Sequence, residues 1–254
     1  MLAIERKNEI LEKLRVEQRV LVSQLATHYC VTEETIRRDL DKLEKEGFAT
    51  KTYGGAIWGN STKTDLSHTI RNKTNVDAKA AIAQLIADSI MDGDHIMLDD
   101  SSTSMFVAKA LKEKKDLTII SNSVEVVLEL SSVEGFQIFS TGGRLKPDSL
   151  SLMGHQCHEM LRQYHVDKAI LSCKGVDPIS GVTDSSEFHA STKKIMMDCA
   201  SRSILIVDYT KFNKISFVKI GDFSKFSCIY TNQKPSDQWL EFFRNHNIPC
   251  HYPR

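Results

Sequence analysis

The 254-residue chain has no net charge, because 33 Lys and Arg balance 33 Asp and Glu. That balance argues against indiscriminate binding to polyanions, since the phosphate-driven part of nucleic-acid affinity scales with the cations a protein sets on phosphates. No apolar run approaches the length of a membrane span, and the amino-terminal MLAIERKNEILEKL reads as an amphipathic helix rather than an export signal. Six cysteines, Cys30, Cys157, Cys173, Cys199, Cys228 and Cys250, are scattered without a Cys-x-x-Cys pair, which points to reduced thiols and a cytoplasmic setting. His155-Gln156-Cys157-His158 is the tempting metal cluster, but it lacks the further ligands a complete site needs, so neither a metal nor another cofactor is expected. Internal repeats and low-complexity tracts are also absent. What is present, 41% hydrophobic and 26% charged residues, suits packed globular units.

The stretch Leu21 to Ala56 organises the rest. Val22, Leu25 and Ala26 give about two turns of an apolar-periodic helix. A tight break at Tyr29-Cys30-Val31 follows, and Thr32 stands at an N-cap with Glu33 and Glu34 in the first turn, where the helix dipole favours negative charge. Ile36, Leu40 and Leu43 then recur at helical spacing, and Gly47 supplies a stop. Ile4, Ile10, Leu11 and Leu14 mark an earlier helix that would pack behind these two. Two helices around a short turn make a helix-turn-helix, whose second helix is the one to enter a DNA major groove. It turns Thr35, Arg37, Arg38 and Lys42 away from the apolar stripe; arginine suits a guanine edge and Lys42 a phosphate. Phe48 to Lys51 and Tyr53-Gly54-Gly55-Ala56 read as a β-ribbon, the wing of a winged helix. The alternative is that Arg37 and Arg38 merely pair with Glu33 and Glu34 four residues earlier, an arrangement that could coexist with DNA binding. Residues 1–60 hold ten Lys/Arg and ten Asp/Glu, so binding needs a local basic face.

TEETIRRDLDKLEKEG (Thr32 to Gly47) followed by TYGGA (Thr52 to Ala56) resembles the DNA-binding signature of the DeoR family of bacterial transcriptional regulators. The resemblance implies double-stranded operator DNA as a partner and Thr32, Glu34, Thr35, Arg37, Arg38, Lys42, Lys51, Tyr53 and Gly54 as DNA-contact candidates. Cys30 replaces the family's usual glycine in the turn, which strains a left-handed backbone position.

These features define a winged helix-turn-helix over residues 1–57 and a polar linker over 58–75. Residues 76–254 form an α/β domain in which short apolar strands alternate with helices. Strands are expected at HIMLDD, LTIIS, FQIFST, DKAILSC, RSILIVDY and SCIYTN; helices at AKAAIAQLIADSIM, TSMFVAKALK, 123–131, 152–164, 187–200 and WLEFFRNH. Such alternation predicts a three-layer α/β fold with a mostly parallel sheet. Ligands of these sheets collect beyond the carboxyl ends of the strands. Small polar residues stand at those ends: Asp99 to Ser104, Ser121-Asn122-Ser123, Thr141-Gly142-Gly143-Arg144, Lys174 to Asp177 and Asp208 to Lys211. Ser101 to Ser104 would offer N–H groups and hydroxyls to a phosphate at a helix N-terminus. Lys174, Lys193 and Lys211 supply positive charge, and Asp99 and Asp208 accept from hydroxyls; together these describe a sugar phosphate. Taken singly, the serines could only cap a helix, Gly142-Gly143 only make a turn, and Asp208 and Lys211 only form a surface ion pair.

The DeoR resemblance extends here as well. Asp99 to Ser104 resembles the family's Asp-x-Gly-Thr-Thr-Thr turn, SNS its Thr-Asn-Ser, TGGRL its Gly-Gly motif, KGVDPISGVTD its Gly-x-Asp loop and DYTKF its Asp-Ser-Ser-Lys-Phe. It implies a sensor of a phosphorylated sugar or related metabolite whose fold resembles ribose 5-phosphate isomerase, with Ser102, Thr103, Ser104, Asn122, Gly142, Gly143, Lys193, Asp208 and Lys211 at the effector site. It also implies that the Ser67 to Asn72 part of the linker packs on this domain. Ser101 replaces a family glycine, and His189 stands where the family usually has glutamate, although His189 could equally be an ordinary helix-surface residue. Losing that carboxylate weakens an enzymatic reading, because an isomerase needs an acid and a base on the sugar carbons. The combined expectation is a repressor released by its effector and working as a dimer or tetramer on paired half-sites. An isomerase-like enzyme with an attached DNA module, or a scaffold that has lost DNA binding, are the rival readings.

Overall fold

The structure, a computed structural model, describes residues 2–45, 48–58 and 68–253. Gly47, read as a helix stop, and residues 59–67 of the expected linker lie outside the described residues. The chain divides into two compact units, Met1–Ile70 and Arg71–Arg254.

The first unit runs α1 (Ala3–Glu17), β1 (Arg19–Leu21), α2 (Val22–Tyr29), α3 (Glu33–Lys45), β2 (Ala49–Thr52) and β3 (Gly55–Trp58). Its core is the set of apolar positions at helical spacing: Ile10 and Leu14 of α1, Leu25 of α2, and Ile36, Leu40 and Leu43 of α3 are fully buried. Ile4 falls on the other face of α1 and is 65% exposed, so it does not join that packing as expected. Thr32 starts α3 as predicted, its Oγ1 accepting from the Thr35 N–H at 3.3 Å. A buried Arg6–Asp39 ion pair, 2.7 Å long, ties α1 to α3. The wing holds a strand the sequence reading missed: β1 pairs with β3, giving the antiparallel order β1-β3-β2. Gly55 makes that pairing possible, because a Cβ there would stand 1.9 Å from the Val20 carbonyl oxygen.

Helix α4 (His68–Lys73) spans the division between the units. There follow α5 (Val76–Ser89), β4 (His95–Leu98), α6 (Ser102–Ala110), β5 (Thr118–Ser121), α7 (Val124–Leu130), β6 (Gln137–Ser140), β7 (Arg144–Lys146), β8 (Ser151–Met153) and α8 (His155–Arg162). The chain continues through β9 (Val166–Ser172), β10 (Gly175–Asp177), β11 (Gly181–Asp184), α9 (Glu187–Asp198), β12 (Ala200–Ile206), β13 (Val218–Gly221), β14 (Cys228–Tyr230), α10 (Asp237–Asn245) and β15 (Cys250–His251). The main sheet has seven strands in the order β15-β14-β12-β9-β4-β5-β6, and every pairing in it is parallel. Its two faces carry separate apolar clusters. Ile82, Ile86, Val107, Val126 and Leu130 from α5, α6 and α7 fill one; Leu161, Met196, Trp239 and Phe243 from α8, α9 and α10 fill the other. This is the expected three-layer α/β arrangement. Two small antiparallel sheets, β7-β8 and β10-β11-β13, were not expected from the sequence.

Register sets up the functional edge. Leu98 pairs with Ser121 and with Ile170, while Ile206 pairs with Ser172, so the strands end nearly level. The residues that follow each strand therefore gather along one rim.

Cys30 closes α2 in the left-handed region, with φ 52 and ψ 45, where its Cβ crowds the backbone. Cys30→Gly should raise the stability of the first unit by about 1 kcal/mol, and Cys30→Val should lower it. Urea unfolding of the full chain, followed by a probe in that unit, checks the order Gly above Cys above Val.

Candidate functional site

In the first unit, α3 presents Arg37, Arg38 and Lys42 to solvent while Asp39 points inward to Arg6. Arg37 lies 2.9 Å from Glu33 and Arg38 3.3 Å from Glu34, so the i,i+4 pairs offered as an alternative are formed. Both pairs are exposed and worth only a few tenths of a kcal/mol, whereas a bidentate arginine contact to a guanine discriminates by about 1–3 kcal/mol. The pairs can thus open in favour of DNA. Thr35 meets Thr32 hydroxyl to hydroxyl at 2.9 Å, at the start of α3. In the wing, Lys51 is ion-paired to Asp41 and its N–H donates to Glu44 at 2.8 Å. Tyr53 is fully exposed beside Gly54 at the turn between β2 and β3.

In the second unit the strand ends form a charged network. Asp99, 1% exposed, uses Oδ1 to accept from the Ser101 N–H (3.1 Å) and the Ser104 hydroxyl (2.5 Å), and Oδ2 to accept from the Ser172 N–H (2.8 Å). Lys193 Nζ lies 3.4 Å from Asp99 Oδ2 and 2.5 Å from Asp184 Oδ2. Burial alone would strip its proton, but Asp184, Asp99 and Asp100 outweigh that and raise its pKa above the usual lysine value. Asp99 and Ser104 thereby spend their hydrogen bonds on shaping the turn. Ser101 caps α6, accepting from the Ser104 N–H at 3.0 Å, with φ −77, a conformation that needs no glycine. Among the described residues, no hydrogen bond engages the buried hydroxyls of Ser102 and Thr103.

His189 is 6% exposed, so it is no ordinary helix-surface residue. Its Nδ1 lies 2.7 Å from Asp100 and its Nε2 3.2 Å from the Lys146 ammonium. An ammonium can only donate, so Nε2 accepts and the Nδ1 proton faces Asp100. Burial would raise the Asp100 pKa, yet His189, Lys193 and Arg71 drive it well below the carboxylate range. Asn122 is buried at the end of β5; its Nδ2 donates to the Leu152 carbonyl at 3.3 Å and its Oδ1 has no partner among the described residues. Gly142 and Gly143 both adopt positive φ, and a Cβ on Gly143 would stand 2.6 Å from the Met153 carbonyl oxygen. Gly143 thus lets β7 lie close against β8.

At the end of β12, Asp208 is buried and accepts from the Thr210 N–H (2.8 Å) and hydroxyl. No ion pair joins it to Lys211 among the described residues, so the surface-pair alternative is not what forms there. Lys211 and Lys174 are half-buried nearby. They belong to a cationic neighbourhood with Lys79, whose pKa falls to about 8, chiefly through burial; Asp208 opposes the fall, and Lys211, Arg71 and Lys174 add to it.

Sequence reading missed Lys79, Arg71 and Lys146 as parts of this rim, and it included Asp100 and Asp184 within motifs without giving either a role. Lys79 did carry a signal: with Ile82, Ala83 and Ile86 it lies on the buried stripe of α5, where an unpaired lysine is costly. The structure brings Asp99, Ser102, Thr103, Ser104, Asn122, Lys174, Lys193, Asp208 and Lys211 to the same edge of the sheet, with Gly142 and Gly143 one strand further out beyond β6. Among the described residues there is no group of three or more His, Cys, Asp or Glu suited to a metal ion, and His158 instead meets the Thr192 hydroxyl at 3.1 Å.

Comparison with known proteins agrees with this division. Residues 6–62 match the model of the DeoR-like helix-turn-helix domain and residues 74–233 that of the DeoR C terminal sensor domain. The chain is 39% identical to the uncharacterized HTH-type transcriptional regulator YulB of Bacillus subtilis, over 91% of this chain and 90% of that protein. It is 36% identical to the transcriptional repressor AccR of Agrobacterium fabrum over 84% of this chain and 83% of the relative. The glycerol-3-phosphate regulon repressor of Escherichia coli K12 is 28% identical over 96% of both. Among solved structures, ribose 5-phosphate isomerase A from Methanocaldococcus jannaschii aligns with TM-score 0.41 at 19% identity over 55% of each chain.

Two tests follow from this geometry. Arg37→Ala or Arg38→Ala should cost about 1–3 kcal/mol at a specific duplex, whereas Lys42→Ala should weaken all sequences alike and lower the salt slope by about one. Anisotropy titrations of both arginine variants at wild-type affinity would reject α3 as the reading helix. Lys79 releases its proton near pH 8 when folded and near the ordinary 10.5 when unfolded, so between these values the unfolded chain binds more protons. Stability should therefore rise with pH across that window, by up to about 3 kcal/mol, and Lys79→Met should remove that part of the slope in urea midpoints.

Proposed function

The chain belongs to the DeoR family of transcriptional regulators, and we propose that it represses a sugar or polyol catabolic operon until a phosphorylated sugar binds the second unit and loosens the grip on operator DNA. The observation that carries this reading is the concentration of cationic groups at one rim: Lys193 is ion-paired to Asp184 and Asp99, while the buried Lys79 feels the charges of Asp208, Lys211, Arg71 and Lys174. Surplus buried positive charge is stabilised by an anion. The free hydroxyls of Ser102 and Thr103 at the start of α6 suit phosphate oxygens. Asn122 offers an acceptor to a sugar hydroxyl. The relative that represses the glycerol-3-phosphate regulon supports a small phosphorylated polyol or sugar as the ligand class. Operator DNA places the regulator in the cytoplasm. Two copies, as a dimer or within a tetramer, double the contacts of a DNA-binding unit that is neutral overall. Turnover of a sugar phosphate is not expected, since His189 is already engaged by Asp100 and Lys146.

A thermal-shift screen of the full chain against phosphorylated and unphosphorylated sugars tests this. A phosphorylated member should raise the melting temperature by mass action, and its dephosphorylated form should not. Lys211→Ala should bind that compound at least tenfold more weakly while keeping its affinity for operator DNA. Loss of operator binding by a folded Lys211→Ala protein would instead move Lys211 to an assembly or DNA surface. An unchanged ligand response would remove the site from the end of β12.

A further inference from the structure

The polar start of the second unit contains unsatisfied buried groups that neither the linker reading nor the strand-end pattern explains. Arg71 Nε and Asn72 Oδ1, in the last half of α4, are buried and have no hydrogen-bond partner among the described residues. Asn122 Oδ1, at the end of β5, is in the same condition. Leaving such an atom unpaired costs about 1–3 kcal/mol, so three of them at one rim call for a shared explanation.

Their surroundings converge. Asn72 Nδ2 donates to Glu125 Oε2 at 3.1 Å, and Glu125 lies in the first turn of α7, three residues after Asn122. The Lys79 ammonium donates to the carbonyl oxygens of Arg71 and Thr74, which ties the end of α4 to α5. The Arg71 charge is felt by Asp100 at the end of β4 and by Lys79 beside Asp208. Arg71 and Asn72 therefore sit along the rim that runs from β5 through β4 towards β12. One unpaired guanidinium N–H suits a phosphate or carboxylate oxygen, and two unpaired amide oxygens suit hydroxyls.

We propose that Arg71 and Asn72 are direct ligands of the effector, with Arg71 on its anionic group and Asn72, together with Asn122, on its hydroxyls. This rests on the reading of the second unit as a sensor of phosphorylated sugars, and it adds where the signal leaves the site. Arg71 is the first residue of that unit, and α4 continues back across the division to His68. A ligand held by Arg71 and Asn72 draws directly on the stretch of chain that leads to the DNA-binding unit. Coupling then needs no relay through the sheet, since the residues that bind the ligand are themselves the covalent joint.

The test uses the full chain, a fixed set of probes (sn-glycerol 3-phosphate, D-ribose 5-phosphate, D-glucose 6-phosphate and inorganic phosphate), and calorimetry. Arg71→Ala, Arg71→Lys and Asn72→Ala are compared with wild type, each checked for an unchanged melting temperature without probe. For the tightest probe, Arg71→Ala and Asn72→Ala should each weaken binding at least tenfold. Arg71→Lys, which keeps the charge but loses the Nε–H, should also weaken it and serves if the alanine variant is unstable. In addition, saturating probe should no longer lower the operator affinity of these variants. Binding within twofold of wild type in folded Arg71 and Asn72 variants, with binding still lost in Lys211→Ala, would overturn this proposal and leave the sensor reading standing. Failure of every probe to bind wild type would overturn both.

Discussion

A single buried ammonium holds the second unit's rim together. Lys193 projects from α9 into a space where Asp99 of the β4 turn and Asp184 of β11 both reach it, and Asp99 in turn accepts from the end of β9 and from the start of α6. Four separate elements are thereby fixed by one charge. Removing either side of such a pair leaves an uncompensated ion in a dry place, at a cost of about 3–5 kcal/mol. The cluster therefore sets geometry more than it adds stability. It pins the β4–α6 turn through Asp99, while the hydroxyls of Ser102 and Thr103 take no part in that network. The second network, Asp100–His189–Lys146, extends the same principle towards β7. His189 there stands between the Asp100 carboxylate and the Lys146 ammonium, a place a glutamate could not take beside Asp100 without like-charge repulsion.

The first unit solves a different electrostatic problem. A DNA-binding surface with equal numbers of acids and bases cannot rely on its overall field, so the cations must be separable from their partners. Arg37 and Arg38 are held by exposed glutamates on the same helix, an attachment weak enough to be exchanged for a base or a phosphate. Asp39, by contrast, is locked to Arg6 in the core and fixes the helix that carries them. Exchangeable pairs outside and a fixed pair inside would let a neutral module offer cations to DNA without losing its fold.

Much of this was legible in the sequence because it is local. The Thr32 cap, the Ile36-Leu40-Leu43 stripe and the short apolar runs that become β4, β5, β9 and β12 each declare themselves within a few residues, and the small polar residues after those runs mark the rim. What escaped were contacts that exist only after folding. Strand β1 is three residues long and is defined by the backbone of β3 and by the absence of a side chain on Gly55. The sheets β7-β8 and β10-β11-β13 are built from strands of three or four residues, too short to show a period. Lys79 hides in an apolar helix pattern, and Arg71 and Asn72 lie in a stretch whose polarity reads as linker. His189 was noticed as a departure from a pattern, but its partners Asp100 and Lys146, 89 and 43 residues away in sequence, could only be supplied by the fold. Cys30 was read correctly as a left-handed position without glycine.

Release of operator DNA by an effector requires the two units to be thermodynamically linked, and linkage is reciprocal. The direct measurement takes an operator duplex selected from a random-sequence pool and a phosphorylated sugar that binds the full chain. Operator affinity is measured at one fixed salt concentration with and without saturating sugar, and sugar affinity with and without saturating operator. Each ligand should weaken the other by the same factor, at least tenfold. Both ligands binding tightly with a factor of one would contradict it, leaving a DNA-binding protein and a sugar-phosphate-binding protein on one chain with no switch between them.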